Sequence, residues 1–363
     1  YMIESPHEPG VLWTGSDDGF VHITRNGGQT WENVTPKGLK ECLVNAIDIS
    51  PHDPATTYIA TTRYKLNDYT PALYKTTNYG KTWTNISDGI PYGSFTRVVR
   101  EDETRKNLLY AGTEKGIYIS WNGGVNWEPF QLNLPVTPIT DLKVHEGDLI
   151  VATSGRSFWI LDDLEAIAQY QPNNAQLSIM RPAITYNGSW GSQLSRSSSK
   201  FDGTHPLEGV NPANGMVVYY NLPDLDSEQE LILTIKDAKG SIVRTISSEK
   251  DPTYKPHNGG GAPPKPVLSK NPGLNRFVWD MGYPIMPGIP DVYIEANFRG
   301  HKAAPGMYTL ELSLGESKVT TRAEIKAMPG FQTKPGQYDT YNSFMIDLEG
   351  NLTEMHTMIN SLY

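Results

Sequence analysis

Read for its apolar and polar positions, the chain of 363 residues falls into two regions with different rhythms. The first is a succession of short alternating runs closed by Gly, Asn and Asp, the pattern of half-buried strands and tight turns. Those runs predict strands at Val11–Gly15, Gly19–Thr24 and Thr30–Val34, then Val44–Ser50, Thr57–Thr61, Ala72–Thr76 and Thr82–Ile86. A third set covers Thr96–Arg100, Leu108–Gly112, Ile117–Ser120 and Asn126–Phe130, and a fourth covers Ile139–His145, Asp148–Ala152 and Ser157–Leu161. On this reading the first set lacks its opening strand and the fourth lacks its outer one. From Met216 the strands resume as Met216–Tyr220, Glu230–Lys236, Ile242–Ile246, Leu274–Trp279, Gly306–Leu314 and Lys318–Ile325. After Pro335 the period becomes helical, with Met345, Leu348, Leu352, Met355, Ile359 and Leu362 spaced as a heptad seam. That seam needs a cover, either the adjacent strands or another polypeptide.

The first region repeats itself. Thr24-Arg-Asn-Gly-Gly-Gln-Thr-Trp31, Thr76-Thr-Asn-Tyr-Gly-Lys-Thr-Trp83 and Ser120-Trp-Asn-Gly-Gly-Val-Asn-Trp127 align without gaps, their last tryptophans 52 and 44 residues apart. Such a period suits one four-stranded blade per repeat. In each hairpin an Asn (Asn26, Asn78, Asn122) can accept backbone N–H groups. A Gly (Gly28, Gly80, Gly124) supplies the turn, and a Trp (Trp31, Trp83, Trp127) is expected to be buried between blades. A propeller closes with roughly four to eight four-stranded blades, so these strands imply further blades upstream or on another chain.

The expected organisation is blades over 1–170, an extended connector over 171–214, a β-sandwich over 215–330 and a terminal helix over 331–363. The connector is rich in Ser, Asn, Gly and Pro, and an insertion at Asp251–Pro266 with Gly259-Gly-Gly261 is expected to be mobile.

Composition narrows the function. A net charge of −9 argues against nucleic acid or an anionic membrane surface as partner, and no apolar run approaches the ~18 residues that span a bilayer. The single Cys42 excludes a disulfide framework or a cysteine-built metal site, and no pair of the eight histidines has ligand spacing. No phosphate-binding or nucleophile-elbow motif occurs, so neither cofactor nor metal is expected.

Blade topology places the turns joining second and third strands, and the connections between blades, on one face. That face collects Asp17, Asp18, Arg63, Tyr64, Tyr69, Glu114, Lys115 and Arg156, with Lys37–Glu41, Pro91-Tyr92 and Asn133–Pro138 from the connections. A glycosidase needs two carboxylates across about 5–9.5 Å, and Asp17 with Glu114 is the conceivable pair. Asp17-Asp18-Gly19 also reads as a plain hairpin turn. Arg63, Tyr64 and Tyr69 read either as a ligand grip or as a solvated loop, and Arg156 as a channel residue or a structural partner of Asp162 or Asp163.

The three repeats resemble the Asp box of sialidases, xyloglucanases and sortilin-type propellers. With Asp17–Gly19, Leu132–Asp141, Ser154–Asp163, Gly273–Asp280 and Ala304–Tyr308, the chain is similar to bacterial sortilin-type or glycosyl-hydrolase-like Asp-box proteins carrying an immunoglobulin-like domain. The resemblance implies an all-β, extracytoplasmic propeller protein with that second domain and a terminal helix. The function expected is binding or scaffolding, with a peptide, a glycan or a partner protein on the loop face. The alternative is a polysaccharide hydrolase whose carboxylates lie mainly upstream.

Overall fold

A computed structural model describes residues 1–171, 176–187, 213–224, 229–252, 254, 261–289, 298–330 and 333–362. The chain folds as two compact units, Tyr1–Ala168 and Gln169–Tyr363.

The first unit is a run of antiparallel sheets, each made of strands consecutive in sequence, which are successive propeller blades. Blade one holds β1 (Met2–Glu4), β2 (Leu12–Gly15), β3 (Val21–Thr24) and β4 (Glu32–Asn33). Its opening strand is therefore present, contrary to the expectation from sequence. β1 pairs Met2–Glu4 with Leu12–Thr14, and Ile3 packs on the blade core around Trp13. A three-residue strand carries too little alternation to be seen in sequence. Blade two has β5 (Leu43–Ile49), β6 (Thr57–Arg63), β7 (Asp68–Thr76) and β8 (Thr84–Asn85). Blade three has β9 (Thr96–Glu101), β10 (Leu109–Thr113), β11 (Gly116–Ser120) and β12 (Glu128–Pro129). The fourth sheet stops at three strands, β13 (Ile139–His145), β14 (Asp148–Thr153) and β15 (Phe158–Leu161), and leads into helix α1 (Leu164–Gln169). Val98, Val99, Leu108, Leu109 and Ile139, all fully buried, belong to a core shared by blades two and three and the fourth sheet, while blade one packs on blade two in a separate core around Trp13, Ile47 and Ile59.

The repeat hairpins are alike in atomic detail. Asn26 Oδ1 accepts the Thr30 N–H at 3.0 Å and the Thr24 hydroxyl at 2.9 Å, while the Gly28 N–H donates to Thr24 Oγ1 at 3.0 Å. Asn78 with Thr76, Gly80 and Thr82, and Asn122 with Ser120, Gly124 and Asn126, reproduce these bonds. Each set closes a turn whose backbone N–H groups would otherwise lack partners.

The tryptophans differ. Trp127 is buried and donates its indole N–H to the Ile86 carbonyl of blade two at 2.6 Å. Trp83 is half-buried and donates to the Val34 carbonyl of blade one at 2.7 Å. Trp31 is 42% exposed, which corrects the expectation that all three are buried. The cover for each indole comes from the preceding blade, and blade one has no such neighbour here.

In the second unit, β16 (Ser178–Ile179), β18 (Met216–Leu222) and β21 (Gly273–Trp279) form one sheet. β17 (Thr185–Tyr186), β23 (Ser317–Lys326), β22 (Gly306–Leu314), β19 (Leu231–Lys236) and β20 (Ile242–Ser247) form the other. Their inward alternate residues, among them Tyr220, Leu233, Ile235, Trp279 and Leu312, make a single core. The described parts of the expected connector include β16 and β17, whereas 172–175, 188–212 and, within the Asp251–Pro266 insertion, 253 and 255–260 lie outside the described residues.

The terminal helix α2 (Gln337–Asn360) docks on this unit through polar side chains. Buried His301 bonds Glu349 at 2.9 Å through Nδ1 and Asn342 at 2.8 Å through Nε2, with the Tyr283 ring stacked 4.0 Å away. His356 bonds the Pro287 carbonyl, and Asn360 donates to Gly288. Only half of the heptad seam turns toward this unit: Met345, Leu352 and Ile359 are half-buried, whereas Leu348, Met355 and Leu362 remain exposed. Four hydrogen-bonded polar positions set the rotation of the helix, shifting the docked face to one side of the apolar seam read from sequence.

Candidate functional site

On the first unit, the turn after β6 is a short 3-10 segment, Tyr64–Leu66. Asn67, in the left-handed conformation, closes it by donating its N–H to the Tyr64 carbonyl. Arg63 Nε donates to Asp68 Oδ2 at 3.0 Å, and its guanidinium also reaches the Glu41 carbonyl. Asp68 in turn accepts the Thr70 N–H, and these hydrogen bonds, Thr70 first, hold its carboxyl below the usual range. The turn is therefore ordered from within, unlike a solvated loop.

That order presents aromatic rings. Tyr64 stacks on buried Phe95, with centroids 5.2 Å apart and planes 15° apart. Tyr69 leans on Phe95 at 6.0 Å and meets Tyr92 edge-on at 6.3 Å. The Tyr69 carbonyl accepts the Gly93 N–H at 3.0 Å, which ties the turn to the connection between blades two and three. Tyr92 is 67% exposed and Tyr69 36%, so the shelf offers ring surface to solvent around a fixed Phe95.

Charge borders the shelf. The Arg97 guanidinium lies 5.1 Å over Phe95 and 5.8 Å from Tyr64, a cation–π placement. Its Nε and Nη2 both donate to Glu114 Oε2, at 2.9 and 2.6 Å. Lys115 is exposed, with Nζ beside Gly93. The structure thus brings together Tyr64, Tyr69, Glu114 and Lys115 of the expected residues and adds Tyr92, Phe95 and Arg97. Phe95 and Arg97 escaped the sequence reading because the run Phe95–Arg100 looks like an ordinary buried strand.

The other expected residues are held by bonds of their own. Asp18 accepts from the Ser16 hydroxyl within its own hairpin, and that bond, before any other cause, lowers its pKa. Asp17 is exposed in the same turn. Cys42 is buried behind it, and desolvation raises the thiol pKa. Arg156, read from sequence as a channel residue or as a partner of Asp162 or Asp163, is exposed and donates to the Gly155 carbonyl. Its tight turn is closed by Trp159, whose indole bonds the Arg156 carbonyl at 2.8 Å.

A second polar cluster lies on the inner strands. Arg100, only 9% exposed, donates to Asp141 Oδ1 at 2.8 Å and to the Leu142 carbonyl at 2.7 Å, and pairs with Asp48 at 3.8 Å. Asp48 also accepts the Glu101 N–H at 2.9 Å. Burial pushes the Asp48 carboxyl up to about 6, against the opposing pull of Arg100. These residues tie β5, β9 and β13 together, and with Asp141 41 residues from Arg100 and Asp48 53 residues from Glu101, spacing gave no hint of the cluster. Among the described residues, no group of three His, Cys, Asp or Glu side chains could hold a metal ion, and no helix is long and apolar enough to cross a membrane.

No family model matches the chain, and no curated protein matches it. Solved structures give several matches. YCF48 from Cyanidioschyzon merolae is 15% identical, covering 68% of this chain and 71% of its own, with a TM-score of 0.34. A structure of YCF48 bound to D1 peptide matches at 13% identity over the same shares, also with a TM-score of 0.34. The GH74 xyloglucanase from Xanthomonas campestris is 15% identical, over 88% of this chain and 43% of the enzyme, with a TM-score of 0.36. The GH74 enzyme of Niastella koreensis is 16% identical over 71% and 38%, also at 0.36. This chain spans less than half the length of either enzyme.

Proposed function

We propose that the first unit is a recognition module that binds an extended glycan or peptide on its loop face. The observation that carries this reading is the ordered, exposed shelf of Tyr64, Tyr69 and Tyr92 on Phe95, bordered by Arg97, Glu114 and Lys115. Large rigid rings give contact area at little entropic cost, and the flanking charges orient a polar ligand. Sugar rings and peptide side chains both stack on such faces.

A hydrolytic role asks more of the carboxylates. Of the conceivable pair, Glu114 is engaged by two donors of Arg97, and Asp17 is exposed in a hairpin turn of its own, so no observation sets the two facing each other across a substrate. Binding is the reading we favour. With it go the finer assignments that rest on sequence resemblance: Asp-box repeats, an immunoglobulin-like character for the second unit, the domain limits given above, and an extracytoplasmic location.

Arrays of plant and host glycans and of extended peptides, probed with the full chain, test the proposal and separate the two ligand classes. Selective binding in one class, lost in Arg97→Gln, is the expected result. Uniform absence of binding, or binding indifferent to Arg97, overturns it.

A further inference from the structure

Two junctions between adjacent blades are built alike, and they show what a third one lacks. At the first, Trp83 of blade two donates its indole N–H to the Val34 carbonyl at 2.7 Å, and Val34 is 4% exposed. At the second, Trp127 of blade three donates to the Ile86 carbonyl at 2.6 Å, and Ile86 is 6% exposed. Val34, Ile86 and Phe130 hold the same structural position. Each follows its blade's outer strand and donates its backbone N–H to the third strand, at the Val21, Leu73 and Ile117 carbonyls.

The third junction lies between blade three and the sheet β13–β15, where among the described residues no outer strand pairs with β15. Phe130 is half-buried there. Phe130, Leu134, Leu149, Val151, Trp159 and Leu161 line an open, largely apolar groove. The strand edge changes with it. β11 is buried along its whole length, whereas β15 leaves Phe158 76% and Ile160 60% exposed. A free edge beside an apolar groove is a template for an added strand.

We propose that this groove and the free edge of β15 bind a partner polypeptide in extended form. The partner adds antiparallel to β15 as a fourth strand and inserts a tryptophan into the groove, its indole N–H directed at the Phe130 carbonyl. The chemistry of the occupant follows from the two filled junctions. In both, the outer strand runs antiparallel to the third, as β8 does on β7 and β12 on β11. In both, a Thr or Asn precedes the tryptophan, as Thr82-Trp83 and Asn126-Trp127. Phenylalanine would fill the groove but leave the carbonyl without a donor, so the site selects an indole. Trp159 cannot serve, since it belongs to β15 and its indole is bonded to the Arg156 carbonyl. This site is distinct from the aromatic shelf and stands without it.

The test uses the full chain and a fluorescein-labelled peptide with the sequence of residues 80–88, Gly-Lys-Thr-Trp-Thr-Asn-Ile-Ser-Asp, alongside its Trp→Ala form. Anisotropy should show saturable binding of the first peptide and binding weaker by about tenfold or more for the second. Ile160→Arg, at an exposed position, should weaken binding similarly while leaving the melting temperature unchanged. Amide exchange should slow in 158–161 when the peptide is bound. Equal binding of both peptides overturns the proposal. So does the absence of saturable binding up to about 1 mM, or protection confined to residues away from β15.

Discussion

The two ends of the blades obey different rules. At one end the repeat hairpins of blades one, two and three carry the same side chains in the same hydrogen bonds, Asn26, Asn78 and Asn122 each closing a turn on its own flanking hydroxyl or amide. At the other end no two turns match. Asp17-Asp18 is a short hairpin, Tyr64–Tyr69 an internally bonded turn bearing rings, Glu114-Lys115 a charged corner, and Gly155-Arg156 a turn closed by an indole. Identity among repeats thus marks where the chain maintains its fold, and difference marks where it can discriminate between ligands. On the proposed reading, the motif most visible in sequence lies at the end opposite the recognition face.

The largest effect should come from the repeat end. Trp127→Ala removes a buried indole and its bond to Ile86, and should cost roughly 3–5 kcal/mol in urea unfolding. Trp31→Ala changes the same motif at an exposed position and should cost about 1 kcal/mol or less. Equal losses would show that the motif itself, and not the preceding blade, supplies the stability.

Glycine sharpens the same contrast. A Cβ at Gly124 would stand 2.7 Å from Ile86 Cδ1, and φ there is +91°. At Gly28 φ is also +91°, but nothing closer than 3.8 Å, the residue's own Trp31, stands in the way. Gly124→Ala should therefore cost about 2–3 kcal/mol and Gly28→Ala about 1 kcal/mol, the strain of the backbone alone.

The inner strands give a pH signature. Because the folded pKa of Asp48, about 6, is above its unfolded value, the native state holds an extra proton between those values. Stability therefore falls as pH rises from the unfolded pKa through about 6, then levels off. Asp48→Asn removes that fall, so the variant should gain about 2 kcal/mol on the native protein between pH 4 and pH 7. Parallel urea titrations at the two pH values measure it. A constant difference would mean that Asp48 is ionised throughout.

Much of this architecture was legible in the sequence. The six strands expected in the second unit lie within three residues of their expected limits, because sustained alternation is a strong signal, while the two-residue β16 and β17 carry none. The hairpins were legible because three copies align. What was not legible depended on neighbours. Trp31 looks like Trp127 in sequence, yet its exposure is decided by a surface outside its own blade. The rotation of α2 is set by His301, Glu349 and Asn342, three residues whose pairing no period announces. Arg97 reads as one more strand residue until Glu114 and Phe95 are folded against it. Of the eight residues expected on the loop face, those drawn together sit on blades two and three, where the turn after β6 is long enough to reach the next connection.

At the loop end, stability should hardly respond. Tyr69→Ala and Tyr92→Ala remove exposed rings from the rim of the shelf and leave Phe95 and the turn hydrogen bonds in place, so each should shift unfolding by about 0.5 kcal/mol or less. The Tyr69→Ala/Tyr92→Ala double variant, measured for both urea unfolding and array binding, is the most direct test of a loop end kept for recognition. The expected result is near-native stability with binding lost. Retained binding, or binding lost only in proportion to unfolding, would contradict it.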